Sequence, residues 1–490
     1  MSKVTLIDKR GEGLEIDARA VNSKEARALY RKRVQIYPKL VHGFFRNLKW
    51  VAMIVLLAIY YVTPWVRWDR GPGQPDQAVL VDFEGRRFYF FFIELWPQEV
   101  YYITGLLILA AFGIFLSSAL FGRVWCGYAC PQTVWTDLYI HVERWIEGDR
   151  NERMRLDKAP LSASKVLKKI AKHAVWIAIA AATGGAWVFY FADAPTLFRD
   201  IFSGAASAAT YLFIGILTFT TYALAGAMRE QVCTYMCPWP RIQAAMIDKD
   251  ALSVTYRVDR GEPRGPHKKG ESWEGRGDCI DCRQCVAVCP QGIDIRDGDQ
   301  LECINCALCI DACDEVMQKV GRPKGLIAYD SYANQARRQQ GKGGRYRLIR
   351  PRTILYGTLM AAVGALMLYG LATRQTLDLN VVRDRSPPFV RLADGSVRND
   401  YDLKLINMGV APRRLVIEVE GLEGAHLQGA RAGEGVATEA ASDAVTNVRV
   451  HVVAPGGMSA GSHRFRFSVR DLSTGEVATA QSAFLAGGGP

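Results

Sequence analysis

The sequence predicts a polytopic α-helical membrane protein with five spans, a compact cysteine-rich insert between the fourth and fifth, and a C-terminal β-sandwich. Three observations carry this. Five stretches are almost free of charge over about twenty residues, the length a helix needs to cross a hydrocarbon core. All 12 cysteines of the 490-residue chain fall into two repeated spacings, and none follows Cys313. From about Asp378 onward, apolar and polar residues alternate in short runs divided by turn residues, the pattern of half-buried strands.

The chain opens MSKVTLIDKRGEGLEIDARA. This has no apolar core and no small-residue cleavage site, so it is not a secretory signal. Residues 1–45 read as a basic cytoplasmic tail with one short helix. The first span runs from about Leu48 to Trp65 and the second from Val100 to Phe121. The third runs from Ala174 to Ala192, and the fourth lies between Asp200 and Arg229; these four make up a membrane domain of residues 46–240. Between the first two, Phe88 to Trp96 is too short to cross and carries Glu94. It reads as an interfacial or re-entrant segment, or as a buried strand of an external loop. The fifth span, Thr353 to Thr373, falls in residues 351–375.

Lysine and arginine set the direction. They crowd the N-terminal tail, the segment after the second span (Arg144, Arg150, Arg153, Arg155) and the end of the insert (Arg345, Arg347, Arg350, Arg352). The loop between the third and fourth spans has only Arg199. The expected topology is therefore a multi-pass membrane protein with a cytoplasmic N-terminus, a cytoplasmic insert of residues 241–350 and a periplasmic C-terminus. The net charge of +12 belongs to loops at an anionic lipid surface, and no nucleic acid is needed to account for it.

The cysteines of the insert point to metal chemistry rather than to a disulfide framework. Cys279, Cys282, Cys285 and Cys289 follow C-x2-C-x2-C-x3-C, closed by Pro290; Cys303, Cys306, Cys309 and Cys313 repeat the spacing. This is the two-cluster ferredoxin pattern, in which the fourth cysteine of each run ligates the other cluster. One [4Fe–4S] cluster is thus assigned Cys279, Cys282, Cys285 and Cys313, and the second Cys303, Cys306, Cys309 and Cys289. Two structural zinc sites are the competing reading. Asp314 stands where the second run would place its proline, and a carboxylate there can alter the potential of the nearer cluster.

A second motif follows two of the spans. Cys126-Gly-Tyr-Ala-Cys130-Pro131 comes after the second and Cys233-Thr-Tyr-Met-Cys237-Pro238 after the fourth, with Arg123 and Arg229 just before them. Span plus motif looks like a parallel internal repeat. Cysteines at i and i+4 share a helix face, roughly 6 Å apart along the axis. Proline is welcome at the first position of a new helix. That would set Cys130 and Cys237 at N-caps, where free N–H groups favour a thiolate. If the repeats pack together, four soft ligands converge on a site suited to Cu(I) or to a small iron–sulfur cluster. Buried inert thiols are the alternative. His141 and His173 read either as interfacial residues without a special role or as metal, haem or second-layer groups.

The last part, residues 376–490, contains the alternating runs Tyr401–Ile406, Arg414–Val419, Asn447–Val452 and His463–Val469. They predict an immunoglobulin-like sandwich. It has no evident catalytic set and reads as a docking module.

Taken together, the basic tail, five spans, paired C-x3-C-P motifs, two-cluster insert and terminal sandwich resemble the cytochrome c oxidase accessory proteins of the CcoG, FixG and RdxA family, over nearly the whole chain. That resemblance implies a role in assembling cbb3-type cytochrome oxidase and reduction of Cu(II) to Cu(I), with the oxidase subunits and copper-delivery proteins as partners. Membrane subunits of the NapH type share the motifs only as far as the insert. NosR-type relatives carry a flavin-bearing external domain for which there is no room, so neither flavin nor haem is indicated. The expected activity is metal oxidoreduction: a cytoplasmic donor reduces the clusters, which pass single electrons to metal at Cys126, Cys130, Cys233 and Cys237. A quinol dehydrogenase feeding a periplasmic reductase and a non-redox assembly scaffold are the competing readings.

Overall fold

The computed structural model divides into two compact units, Met1–Met367 and Leu368–Pro490. It describes residues 35–487 except 72, 269, 410, 432 and 433, together with the backbone of the paired strands Val4–Ile7 and Gly13–Ile16. The helix expected in the N-terminal tail lies outside the described residues.

Among the described residues, four helices are long and apolar enough to cross a membrane: Phe44–Trp65, Pro97–Phe121, Ala208–Met228 and Pro351–Ala372. Their regular α-helical parts are α1 (Phe44–Val62), α2 (Tyr101–Phe121), α5 (Ala208–Thr221) and α8 (Pro351–Ala372). Large apolar side chains such as Ile54, Leu107, Leu212 and Leu366 point outward, as they must where lipid is the solvent. The remaining expected span is the second half of α4 (Ala163–Val188), whose first turns carry Lys165, Lys168, Lys169 and Lys172. A first side-chain carbon on Gly184 would lie 2.8 Å from the Ile214 carbonyl oxygen, so α4 and α5 approach this closely only over a glycine.

One boundary differs from the sequence expectation, and one open alternative is decided. The stretch from Asp200 to Arg229 is not one helix. A short helix, Ala194–Ser203, ends at Gly204 in the left-handed conformation, and α5 starts afresh with Ser207 as its cap. Phe88–Trp96 follows its strand reading. It supplies two strands of an antiparallel sheet, Val79–Asp82, Arg87–Phe90 and Ile93–Leu95, and Glu94 pairs with Arg87 at 3.1 Å.

The insert is seated directly on the helices. Strands Ser253–Tyr256 and Ile327–Asp330 pair antiparallel, and α7 (Leu308–Lys319) packs beside them. The Asp311 carboxylate accepts from the backbone N–H of Phe45 at 3.3 Å and Arg46 at 2.7 Å. It caps α1, which has no side-chain cap of its own. The segment before α1 runs as a strap. Lys39 N–H donates to the Ala287 carbonyl at 2.8 Å, and Arg153 donates to the Pro38 carbonyl at 2.8 Å.

The second unit is an antiparallel sandwich. One sheet orders His426–Leu427, Ala444–Ala454, Val397–Asn407 and Leu377–Arg383, with Val390–Arg391 paired to the third. The other orders Val436–Ala440, Arg413–Glu420, Gly461–Asp471 and Val477–Ala486. Tyr401, Leu403, Leu405, Ile417, Phe467 and Phe484 meet in its core with no exposure. The alternation that predicted the strands is the alternation of inward and outward faces.

Candidate metal centres

Each three-cysteine loop of the insert is wound by two residues in the left-handed region. They are Asp281 (φ 54°) and Arg283 (φ 53°) in the first, and Asn305 (φ 51°) and Ala307 (φ 60°) in the second. The positions match, so the repeat of spacing is a repeat of backbone shape. Such alternation turns successive N–H groups toward one concavity, a nest for an anionic group. A short helix then follows each loop, Gln284–Val288 and α7.

The thiols sort into two sets. Cys279, Cys282, Cys285 and Cys313 line one cavity with Tyr256 and Met317. Cys289, Cys303, Cys306 and Cys309 line a second, which Cys285 also touches. Burial raises the Cys313 thiol, and neighbouring Cys285, Cys279 and Cys282 raise it further. Burial likewise pushes Cys289 up to about 12, with Cys306 and Cys303 adding to it. The fourth cysteine of each run therefore lies among the first three of the other. Cavity, nest and thiolate-forming residues fit a polynuclear iron–sulfur group. Among the described residues, no three His, Cys, Asp or Glu side chains could share a single metal ion.

The membrane motifs are wide turns rather than ordinary helix. Trp125–Ala129 is a π-turn closed by Cys130 N–H to the Trp125 carbonyl at 2.9 Å. Val232–Met236 is another, closed by Cys237 N–H to the Val232 carbonyl at 2.8 Å. Single π-turns concentrate at functional sites. Each is preceded by a residue of positive φ four positions before the first cysteine, Gly122 (φ 65°) and Arg229 (φ 45°). The repeat is thus one of conformation. Pro131 opens α3 (Pro131–Glu147), with Cys130 at the N-cap as expected. In the second copy the cap is Pro238, and α6 (Trp239–Met246) follows it, so Cys237 lies one residue outside the cap. Proline is again in the next helix at Pro240, which moves the start along by one.

The four membrane thiols lie within electrostatic reach of one another, without three of them being placed to share one metal ion. Burial pushes Cys126 up to about 12, with Cys130, Cys233 and Cys237 among the charges that add to the rise. Cys233 is pushed up to about 12 by burial, then by Cys130 and Cys237. The Cys126 thiol donates to Oε1 of Gln243 at 3.1 Å, and Gln243 has no exposure. Arg123 and Arg229 are not equivalent. Arg123 donates to the carbonyl of Cys303 at 3.1 Å, whereas Arg229 pairs with Glu143 at 2.9 Å.

The first membrane turn lies against the second cysteine loop. Cys126 packs in one apolar cluster with Val288, Ile304, Cys306 and Leu308. A first side-chain carbon on Gly127 would lie 2.7 Å from the Ile304 carbonyl oxygen and 3.1 Å from the Cys306 Cα. The Tyr128 hydroxyl donates to the Cys306 carbonyl at 3.1 Å. Cys233 lines a cavity with Pro290, Gln291 and Ile304. The histidines are placed elsewhere: His141 meets Trp50 edge-on at 4.6 Å, and His173 hydrogen-bonds the Tyr222 hydroxyl at 2.9 Å. Sequence reasoning missed Gln243, Gln291 and the Gly127–Tyr128 contact. Only Gly127, a glycine inside a motif otherwise of larger residues, carried a signal.

Residues 228–332 match the family described as 4Fe-4S dicluster domain, and residues 103–148 match the 4Fe-4S binding domain. Residues 367–487 match the IG-like fold at the C-terminus of FixG. Both membrane motifs fall inside the iron–sulfur matches. The chain is 51% identical over 503 residues to "Nitrogen fixation protein FixG" of Rhizobium meliloti (strain 1021), covering 96% of each chain. It is 50% identical to "Protein RdxB" of Cereibacter sphaeroides, covering 92% of this chain and 95% of that one. It is 51% identical to "Protein RdxA" of the same organism, covering 88% and 91%. With this identity end to end, two iron–sulfur domains, a terminal sandwich and several bilayer-length apolar helices, the chain belongs to the FixG/RdxA family of membrane iron–sulfur electron-transfer proteins.

Proposed function

We propose that the chain is a cupric reductase supporting assembly of cbb3-type cytochrome c oxidase. Cys279, Cys282, Cys285 and Cys313 hold one [4Fe–4S] cluster, and Cys289, Cys303, Cys306 and Cys309 hold the other. Bound clusters supply one-electron redox chemistry, which matches the single electron that turns Cu(II) into Cu(I). The observation that carries this reading is the packing of the first membrane turn, with Cys126 and Gly127, against a cysteine loop of the insert. Soft thiolates favour Cu(I) over Cu(II). Burial raises the Cys126 and Cys233 thiols, so taking up metal there releases protons. Reduced copper then passes to copper-delivery proteins or to the oxidase subunits. The donor acts from the cytoplasmic side, where the positive-inside pattern puts the insert.

One observation favours a second reading of the membrane thiols. Both C-x3-C-P turns lie within residues matched by iron–sulfur families, which supports a third iron–sulfur centre there. Anaerobic purification with metal analysis separates the two, on wild type and on Cys126→Ser with Cys130→Ser. Under the copper reading both hold about eight irons, and only the variant loses cupric reduction. Under the other, iron falls from about twelve to about eight. Copper reduction retained without all four membrane thiols would overturn the proposal. Quinol oxidation lost while Cu(II) is ignored would favour a quinol dehydrogenase. Oxidase assembly that survives loss of the thiols but not of residues 376–490 would favour a scaffold.

A further inference from the structure

We infer that the two clusters work in series and in one fixed order. Electrons enter at the set Cys279, Cys282, Cys285 and Cys313. They leave from the set Cys289, Cys303, Cys306 and Cys309, across the contact between the Cys126–Tyr128 turn and the Ile304–Cys306 loop. This order rests on the proposal that the membrane thiols are where electrons arrive.

The two sets differ in what surrounds them. Cys282 is the one exposed thiol of the twelve, and Arg283 beside it has a side chain 74% exposed. A soluble one-electron donor with an acidic face can approach there. Neither cavity is lined by residues of the membrane turns, so the two sets are told apart by what their loops touch. Where the membrane turns touch the insert's cysteine loops, they touch those of the other set. Gly127 lies against Ile304, Asn305 and Cys306. Tyr128 and Arg123 bond the carbonyls of Cys306 and Cys303. On the second repeat, Gln291, two residues after Cys289, lines one cavity with Cys233. Cys285 lines both cavities, so the sets are joined through the protein at one residue.

Electron transfer falls steeply with distance and is faster through packed atoms than across gaps. Each step moves one electron and breaks no bond. The donor is oxidised by one electron, each cluster is reduced and re-oxidised in turn, and one Cu(II) becomes Cu(I). Gly127 is then a positioning residue. Without a side chain it lets the membrane turn touch the exit loop.

The test uses the full-length protein in detergent, reduced with dithionite and mixed with Cu(II). Gly127→Val should leave both clusters' EPR signals and their reduction by dithionite intact. It should slow re-oxidation of both by about tenfold or more, since an ångström of misplacement has effects of that size. An unchanged rate would overturn the assignment. A second measurement needs neither copper nor that variant. A nitroxide is attached to Trp125→Cys in a chain whose four membrane cysteines are serine, and its spin relaxation is followed through a redox titration. The label should respond at the potential of the exit cluster. Asp314→Asn shifts the entry cluster, because Asp314 is among the charges acting on Cys313. The label's midpoint should therefore stay where it was. A midpoint that moves with Asp314→Asn would reverse the order. If Cu(II) fails to re-oxidise even the wild-type clusters, the copper proposal falls, and the label titration still decides the order.

Discussion

Asp137 on α3 lies between the Arg46 guanidinium, at 2.6 and 3.0 Å, and the Lys49 ammonium at 3.5 Å. All three are buried. Burial alone would raise its carboxyl, but Lys49 and Arg46 outweigh this and hold it at about 2. A carboxyl depressed in the folded state contributes stability that is present above its ordinary pKa, near 4, and is lost as pH falls toward 2. Asp137→Asn strands two buried cations, a change that typically costs about 3–5 kcal/mol. The iron–sulfur chromophore should therefore bleach at a clearly lower temperature, and the wild-type loss between about pH 4 and pH 2 should flatten. An unchanged melting profile at neutral pH would refute this role. Asp314 is the corresponding case at a cluster. It accepts from Gly325 N–H at 2.7 Å and adds negative charge near Cys313, so Asp314→Asn should raise the reduction potential of that cluster alone. At this scale the cysteines were legible because metal chemistry fixes their spacing. The Arg46–Asp137 pair, 91 positions apart, was not, because nothing local ties the two charges together.

The elements show the same division. Both C-x3-C-P motifs were readable as helix interruptions, since proline ends one helix and opens the next. The π-turn was not, because it depends on i to i−5 bonds that no residue type specifies. Nor was the cap of α1 legible. The first helix starts after Gly43 without a side chain of its own to satisfy its N–H groups, and the acceptor is Asp311 from α7, 265 residues away from Arg46. Asp311→Ala removes that cap, and losing an N-cap costs about 0.5–2 kcal/mol. Amide exchange should quicken in the first turn of α1 and not in its middle. Exchange that stays equally slow in the first turn would mean that packing, not the cap, holds the insert on the helix. The substitution should leave the iron content unchanged, because Asp311 lies between the proposed ligands Cys309 and Cys313 without being one.

At the scale of the whole molecule, the two units differ in how they were read. The sandwich follows from period-two alternation alone, and its strands contain the four runs seen in the sequence. The membrane unit was readable in its apolar helices. The lysine-rich start of α4 and the break at Gly204 were not anticipated, because a hydropathy reading averages over such turns. The positive-inside reading predicts that a reporter active only outside the cytoplasm works when fused after Pro490 and is silent near Gly270; the reverse pattern would invert the topology. The second unit has its own core, so a fragment of residues 374–490 should fold alone with one cooperative transition. Its acid limit is set in part by Asp471, which has no exposure and accepts from Ser473 N–H at 2.8 Å and the Thr474 hydroxyl at 2.9 Å. Burial works against its charge, but the Ser473 and Thr474 bonds prevail and hold the carboxyl at about 2. The stability it contributes is therefore complete above about pH 4 and drains away toward pH 2. Asp471→Asn should weaken the fragment by about 1–3 kcal/mol at neutral pH and remove part of that acid dependence. Parallel unfolding curves at pH 7 and pH 3 for the two proteins measure both effects. An equal drop between the two pH values in both would place the acid-sensitive group elsewhere in the sandwich.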